Sequence, residues 1–342
     1  MALRINLALQ GGGAHGAFTW GVLDRILDDD EIEVAGISGT SAGALNGAAF
    51  KAGLIAGGRE GARANLDWLW GRIGAIGDMR LTGWMMPFTP TPGMVTQFLE
   101  NTLPYNLADA ATRVFSPYDS GPFYRNPLER IVKRFAFDAV CSNEGPALFV
   151  SATNVRSGKI QVFQGQGIST KAILASACLP TLFRAVEIEG EAYWDGGYTG
   201  NPALFPLFDP ELPEDIVVVN INPLYRDELP TAPQDILNRI NEDSFNSSLL
   251  RELRAINFVQ RLLETDKLEK GAMKRVHVHM IADDVLMRQL SVASKLVPVP
   301  SLLEDLKNAG RSAADAFLGE HRTKIGHASS VNLPEMYGTG SA

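Results

Sequence analysis

Cysteine is scarce in this chain. Cys141 and Cys178 are the only two among 342 residues, too few for a disulfide framework, and they fit a reducing compartment. Long apolar runs are missing too. No stretch reaches the roughly 18 residues that a bilayer span requires. There is no basic excess: the formal charge is -8 at pH 7, which disfavours a nucleic-acid partner, because phosphate neutralisation wants a basic face. The same charge means that contact with an anionic membrane is not held by global electrostatics. No His-x-x-x-His or Cys-x-x-Cys occurs, so neither a metal nor a cofactor is expected. The first residues run straight into the strand-like "INLALQ", without a secretory h-region. The expectation is a cytoplasmic protein that makes at most peripheral membrane contact. Oligomeric state is not legible.

What is present is ordinary for a globular chain: 45% hydrophobic and 20% charged residues, long enough for a sizeable core. Ile5 to Gln10 forms a short apolar run and is followed by glycines. Phe18, Val22 and Ile26 then share one helical face, with Leu23 and Leu27 beside them. The acidic run Asp28 to Glu31 reads as a solvated turn. "VAGIS" is a second strand, and "GTSAGALNGAAF" turns into a helix of small residues. This order, strand–loop–helix–strand–turn–helix, predicts an α/β fold with a mostly parallel sheet flanked by helices. Later segments extend the pattern. "PALFVSATNV" and "KIQVFQ" read as a hairpin, "STKAILASA" as a helix, "DIVVVNINP" and "RVHVHMIA" as strands. An apolar stripe through Leu249, Leu253, Ile256 and Leu263 marks a helix from about Pro233 to Glu264. "SLLEDLKNAGRSAADAFL" reads as another.

The chemistry concentrates in the first fifty residues. Gly11-Gly12-Gly13-Ala14-His15-Gly16 spells the G-x-G-x-x-G of a dinucleotide turn. That site also needs an acid at the end of the second strand, and Glu31 and Glu33 precede the strand instead. Its end carries Gly39-Thr40-Ser41-Ala42-Gly43, a G-x-S-x-G. A nucleophilic serine on a sharp strand-to-helix turn needs small neighbours, and Gly39, Ala42 and Gly43 provide them. Glycine-loop N–H groups bind any anion. With Ser41 as nucleophile, donors from Gly12, Gly13 and Ala14 would surround the oxygen of a tetrahedral intermediate rather than a pyrophosphate.

The base has two kinds of candidate. Of five histidines, His15 lies in the glycine loop, His277 and His279 share a strand face, and His321 and His327 sit in a polar region. The acidic candidate is Asp195, at a strand end that breaks into Gly196-Gly197. On spacing alone an Asp-Gly-Gly is more often just a turn.

Taken together, the loop Gly11 to Gly16, the elbow Gly39 to Gly43 and Asp195-Gly196-Gly197 resemble, in order and spacing, the patatin-like lipid acyl hydrolases. "ILASACLPTLFRAV", "SATNVRSG" and "SPYDSGPFYRNPLERIV" are similar to blocks of bacterial members. The resemblance covers most of residues 5 to 282. It implies a three-layer fold, a phospholipid or other acyl-ester substrate, and a Ser–Asp dyad with Ser41 as nucleophile and Asp195 as general base. His15 departs from the Arg or Lys that many relatives carry in the loop.

On this reading residues 1–327 are one hydrolase domain, with 55–130 an irregular cap- or lid-like insertion and 328–342 a flexible tail. Trp68, Trp70 and Trp84, with "GWMMPF" at 83–88, fit an acyl channel or lid and equally fit core packing. Three other readings stay open here. One is an esterase with a Ser41–Asp195–His triad using His277 or His279, another a nucleotide-binding module, and the third a catalytically silent relative.

Overall fold

The computed structural model describes residues 2–77, 91–101, 116–265, 267–269 and 271–337. Its centre is an eight-stranded sheet: β1 (Leu3–Leu9), β2 (Ile32–Thr40), β3 (Ala147–Asn154), β4 (Ile160–Gln164), β5 (Val186–Ile188), β6 (Glu191–Asp195), β7 (Asp215–Val219) and β8 (His277–Ile281). The order is β5-β6-β3-β2-β1-β7-β8, with β4 also paired to β3. The run β3-β2-β1-β7-β8 is parallel throughout, whereas β4, β5 and β6 join antiparallel.

Period-two alternation explains why the sheet is covered on both faces. Leu7 and Leu9 of β1 and Val217 and Val219 of β7 enter one core cluster, with Phe18, Leu23, Leu66 and Leu306. Ala8, Ile216 and Val218 enter the opposite cluster with Leu249, Leu253 and Ile256. The first face carries helices α1 (Gly16–Ile26), α2 (Ala42–Gly77) and α7 (Pro300–His321); the second carries α5 (Pro233–Glu264). Between them in sequence lie α3 (Pro92–Asn101), α4 (Thr170–Ser176) and α6 (Val292–Leu296).

Two sequence expectations change. Residues 55–77 are helical, not irregular: α2 continues to Gly77 through a kink at Gly57 and Gly58, where φ reaches +61° at Gly58. Residues 78–90 and 102–115, with Trp84, Met85 and Phe88, lie outside the described residues. The acidic run is the solvated turn that the sequence predicts, and it is also held by ion pairs. Asp28 pairs with Arg63 and Arg311 at 2.7 Å each, and Glu31 with Arg322 at 2.7 Å, so it ties the end of α1 to α2, to α7 and to the segment after α7. Finally, residues 328–337 are docked. The Ser330 and Val331 N–H groups donate to the Val278 carbonyl at 3.1 and 3.2 Å, Leu333 is buried, and the Tyr337 hydroxyl donates to the Leu250 carbonyl at 2.6 Å.

Candidate active site

The parallel strands end together, and side chains and loops at such a carboxyl edge are where α/β sheets place ligands. β2 delivers Ser41 there. Its backbone sits at φ +53°, a left-handed conformation that costs an L-residue roughly 1–3 kcal/mol and persists only where the surroundings enforce it. Here they do. The Ser41 N–H donates to Ser176 Oγ at 2.9 Å, and the turn packs so tightly on β1 that a Cβ at Gly43 would lie 2.1 Å from the Leu9 carbonyl oxygen.

β3 brings the acid alongside. Thr40 faces Ser151 on β3, and Asp195 faces Ala152, the next residue. β4 already pairs with Phe149 through Thr153, so β6 must take the β3 edge that β2 vacates. One strand thus templates the ends of two others, and residues 41 and 195 meet although 154 positions apart in sequence.

Asp195 is fully buried and its backbone is pinned. Its N–H donates to the Cys178 carbonyl at 2.8 Å, and its carbonyl accepts from Thr153 Oγ1 at 2.8 Å. Oδ1 accepts the Gly197 N–H at 2.7 Å. Burial pushes the carboxyl up to about 7, while the Gly197 N–H and the Ser41 hydroxyl pull it down. Among the described residues, Oδ2 has no hydrogen-bond partner of good geometry. The Ser41 hydroxyl acts on the carboxyl as a hydrogen-bond neighbour, and bonds of this kind tighten as charge develops in the transition state.

The glycine loop opens α1 and is held by a polar network that the sequence reading missed. Gly11 N–H donates to Asn201 Oδ1 at 2.6 Å, so this donor is already used. The Gly11 carbonyl accepts from Asn201 Nδ2 at 3.3 Å and Asn222 Nδ2 at 3.0 Å. Gln10 Oε1 accepts the Ile221 and Asn222 N–H groups at 2.8 and 3.1 Å. The signal for these residues is a polar side chain at the end of an apolar strand: Gln10 after β1, Asn220 and Asn222 after β7. Gly13 and Ala14 start a 3₁₀ turn, and the first N–H groups of a helical segment have no acceptor within it. Gly16 packs against the elbow, where a Cβ would come 2.5 Å from Ala42 Cβ. His15 is buried and bonded to Ser294 Oγ at 2.9 Å. Burial, followed by the charge of Lys295, lowers its pKa well below the usual imidazole range.

Ser41, Asp195, Gly12, Gly13 and Ala14 line one cavity of about 180 Å³. The rest of its wall is largely apolar, with Leu45, Trp70, Ile73 and Phe183 among the contributors. Trp70 is held by a bond from Nε1 to Asn46 Oδ1 at 2.9 Å and stacks on Trp20, whereas Trp68 packs edge-on against Phe135. A larger groove of about 730 Å³, bordered by Arg226, Arg288 and Glu228, contains neither Ser41 nor Asp195. The smaller cavity is the candidate because the reactive groups converge there.

Neither His277 nor His279 lines that cavity. Both belong to β8, the far end of the sheet. His279 Nε2 contacts Asp215 Oδ1 at 2.9 Å and Nδ1 contacts Ser330 Oγ at 3.2 Å. Among the described residues no group of three or more His, Cys, Asp or Glu is placed to hold a metal, and no helix is long and apolar enough to cross a membrane.

No curated protein matches the sequence. Two solved structures are similar to the chain at low identity. One is VipD from Legionella pneumophila, at 14% identity, with 94% of this chain and 67% of that chain covered and a TM-score of 0.43. The other is the heterodimeric ExoU–SpcU complex from the type III secretion system of Pseudomonas aeruginosa, at 15% identity, with 95% and 61% covered and a TM-score of 0.26. The chain therefore spans about two thirds or less of the chains it resembles. The model of the family described as patatin-like phospholipase matches residues 7–208. That match covers more than half of the sequence and runs from β1 through the elbow, Asp195 and Asn201, and the chain belongs to the patatin-like phospholipases.

Proposed function

We propose that the chain is a serine acyl hydrolase of phospholipids or lysophospholipids that works through Ser41 and Asp195. Family membership supports lipid hydrolysis in general. The observation that carries the finer reading is the adjacency imposed by β3, which brings Ser41 and a fully buried Asp195 together at one apolar cavity.

Ser41 Oγ attacks the ester carbonyl carbon while its proton passes to the Asp195 carboxylate, whose Oδ2 has no other partner among the described residues. An ordinary Asp, with a pKa of about 3.9, is a weak base. A buried one pushed up to about 7 suits general-base work near neutral pH. The oxygen that gains charge faces the N–H groups of Gly12, Gly13 and Ala14. Each donor of this kind commonly contributes on the order of 3 kcal/mol. Asp195 then returns its proton to the leaving alcohol, and the same carboxylate activates a water that hydrolyses the acyl-enzyme. The acyl chain lies along the apolar wall.

The test is hydrolysis of a p-nitrophenyl ester and of phosphatidylcholine vesicles by wild type, Ser41→Ala, Asp195→Asn and the five single His→Ala variants. Losses of about a thousandfold or more confined to the Ser41 and Asp195 variants are expected. A collapse of that size in His277→Ala or His279→Ala would favour a triad instead. An inactive wild type would favour a silent relative.

A further inference from the structure

Among the described residues, one cation shares the cavity with Ser41 and has no carboxylate partner. Lys295 lies on α6 and lines the cavity together with Ser41 and the glycine loop. Its ammonium donates to Asn222 Oδ1 at 2.8 Å and Asn241 Oδ1 at 3.0 Å, and it lies 5.7 Å from the centre of the Phe245 ring. All three partners are neutral. The acid that acts on it from a distance, Glu242, is already engaged by Arg226 at 2.5 Å and Arg239 at 3.3 Å. The residue as a whole is partly exposed, but the ammonium is its buried end. Burial lowers it to about 8, so it remains charged at neutral pH.

A desolvated ammonium surrounded by neutral groups keeps a charge that the fold does not compensate. Lysine also has three N–H donors, and two are taken by the asparagines. The charge belongs to the loop side of the site. Asn222, which accepts from Lys295, also donates to the Gly11 carbonyl at 3.0 Å. A Cβ on Gly13 would lie 2.3 Å from the Lys295 carbonyl oxygen, so α6 packs directly on the loop.

We infer that Lys295 Nζ binds an anionic group of the substrate, so that the site takes acyl esters carrying a phosphate near the scissile carbonyl in preference to neutral esters. This rests on the hydrolase reading above and narrows its substrate class. Phosphate suits a compact ammonium as a point-charge partner, and the two amide oxygens hold the ammonium in place without neutralising it.

The first test is binding, without turnover. Ser41→Ala full-length protein is titrated calorimetrically with octyl phosphate, 1-octanol and inorganic phosphate, alone and combined with Lys295→Met, Lys295→Arg or Asn241→Asp. Octyl phosphate should bind about ten- to a hundredfold more weakly once the charge is lost in Lys295→Met, with Arg retaining part of the affinity. Asn241→Asp keeps the lysine but gives it a carboxylate, and should also weaken binding. Octanol and inorganic phosphate should each bind more weakly than octyl phosphate. Equal octyl phosphate affinity in all variants overturns the proposal, and tighter binding of inorganic phosphate overturns its lipid form.

The second test keeps Ser41. The ratio of kcat/KM for dihexanoyl phosphatidic acid to that for dihexanoylglycerol should fall at least tenfold in Lys295→Met and partly recover in Lys295→Arg. Equal losses on both substrates overturn the proposal. Lys295-dependent octyl phosphate binding with no ester cleavage by wild type would leave the anion site standing and remove the hydrolase reading. Ester cleavage that ignores Lys295 would do the reverse.

Discussion

Gly11 and Asn201 grip each other in both directions: the Gly11 N–H donates to Asn201 Oδ1 at 2.6 Å, and Asn201 Nδ2 donates back to the Gly11 carbonyl at 3.3 Å. This pair joins the glycine loop to the segment that follows Asp195. Asn201 is itself anchored, because its N–H donates to Ser248 Oγ of α5 at 3.0 Å. Asn201→Ala should leave the buried Gly11 N–H without its acceptor, while the Gly11 carbonyl keeps Asn222, costing about 1–3 kcal/mol of stability. It should also let the loop shift, and misplacement of about 1 Å can cost on the order of a hundredfold in rate. Unfolding midpoints and kcat on a soluble ester would check both. A variant within twofold of wild type in kcat would show that the pair does not position the loop.

Asp195 must be ionised to accept the Ser41 proton. Because burial pushes it up to about 7, kcat/KM should fall on the acid side of neutrality, approaching tenfold per pH unit. An ordinary carboxylate would keep the rate flat down to about pH 5. The profile of kcat/KM on a neutral, soluble ester separates the two.

The same burial has the opposite consequence for stability. A carboxyl that ionises near 3.8 when unfolded and about 7 when folded binds more protons in the folded state between those values. Its contribution is therefore fully present below the lower value and is lost as pH rises through the higher one. Asp195→Asn never ionises, so its stability relative to wild type should grow between about pH 4 and pH 8, by on the order of 3 kcal/mol. Glu252, also raised to about 7 by burial, is present in both proteins and cancels in the difference. Urea midpoints at the two pH values check this. A constant gap would mean that the carboxyl is not held high in the folded protein.

Local signals carried the front of the molecule. β1, α1, β2 and the elbow were legible because apolar runs and small residues there follow single periods, and α5 because its stripe is clean. The continuation of α2 was hidden for physical reasons. Leu66, Leu69, Trp70 and Ile73 are buried at helical i, i+3, i+4, i+7 spacing, but Gly57-Gly58 breaks the phase, so this stripe does not run on from the helix that follows Ser41. The residues that hold the site are polar ones whose partners are remote. Ser176 meets Ser41, Asn201 meets Gly11, and Lys295 meets Asn222. A lone Asn or Lys carries no period, so only the register of β3 and the packing of α6 reveal these contacts.

His279 is a structural latch in this arrangement. It joins Asp215 at 2.9 Å to Ser330 at 3.2 Å, and Asp215 Oδ1 also accepts the Gly326 N–H at 2.8 Å. His279→Ala should cost about 2–3 kcal/mol, the worth of a buried bond to a charged group. Turnover per folded molecule should stay within twofold. Thermal melts combined with active-site titration would measure the two separately. A thousandfold loss in fully folded protein would restore the triad.

The cavity wall makes the last prediction, on chain length. Trp70 and Ile73 lie one turn apart on α2 and both line the cavity. Trp70 is fixed by its bond to Asn46 and its stack on Trp20, so Ile73 is the adjustable position. Ile73→Trp adds bulk to a space of only about 180 Å³. Overpacking of that kind costs about 1–3 kcal/mol of stability, less than a typical domain can lose before unfolding. The added ring should obstruct a long acyl chain far more than an acetyl group. The ratio of kcat/KM for octanoyl over acetyl p-nitrophenyl esters should therefore fall at least tenfold, with the acetyl ester still turned over. An unchanged ratio in folded protein would mean that the acyl chain leaves Ser41 by another route, and the wall formed by α2 would then be core packing alone.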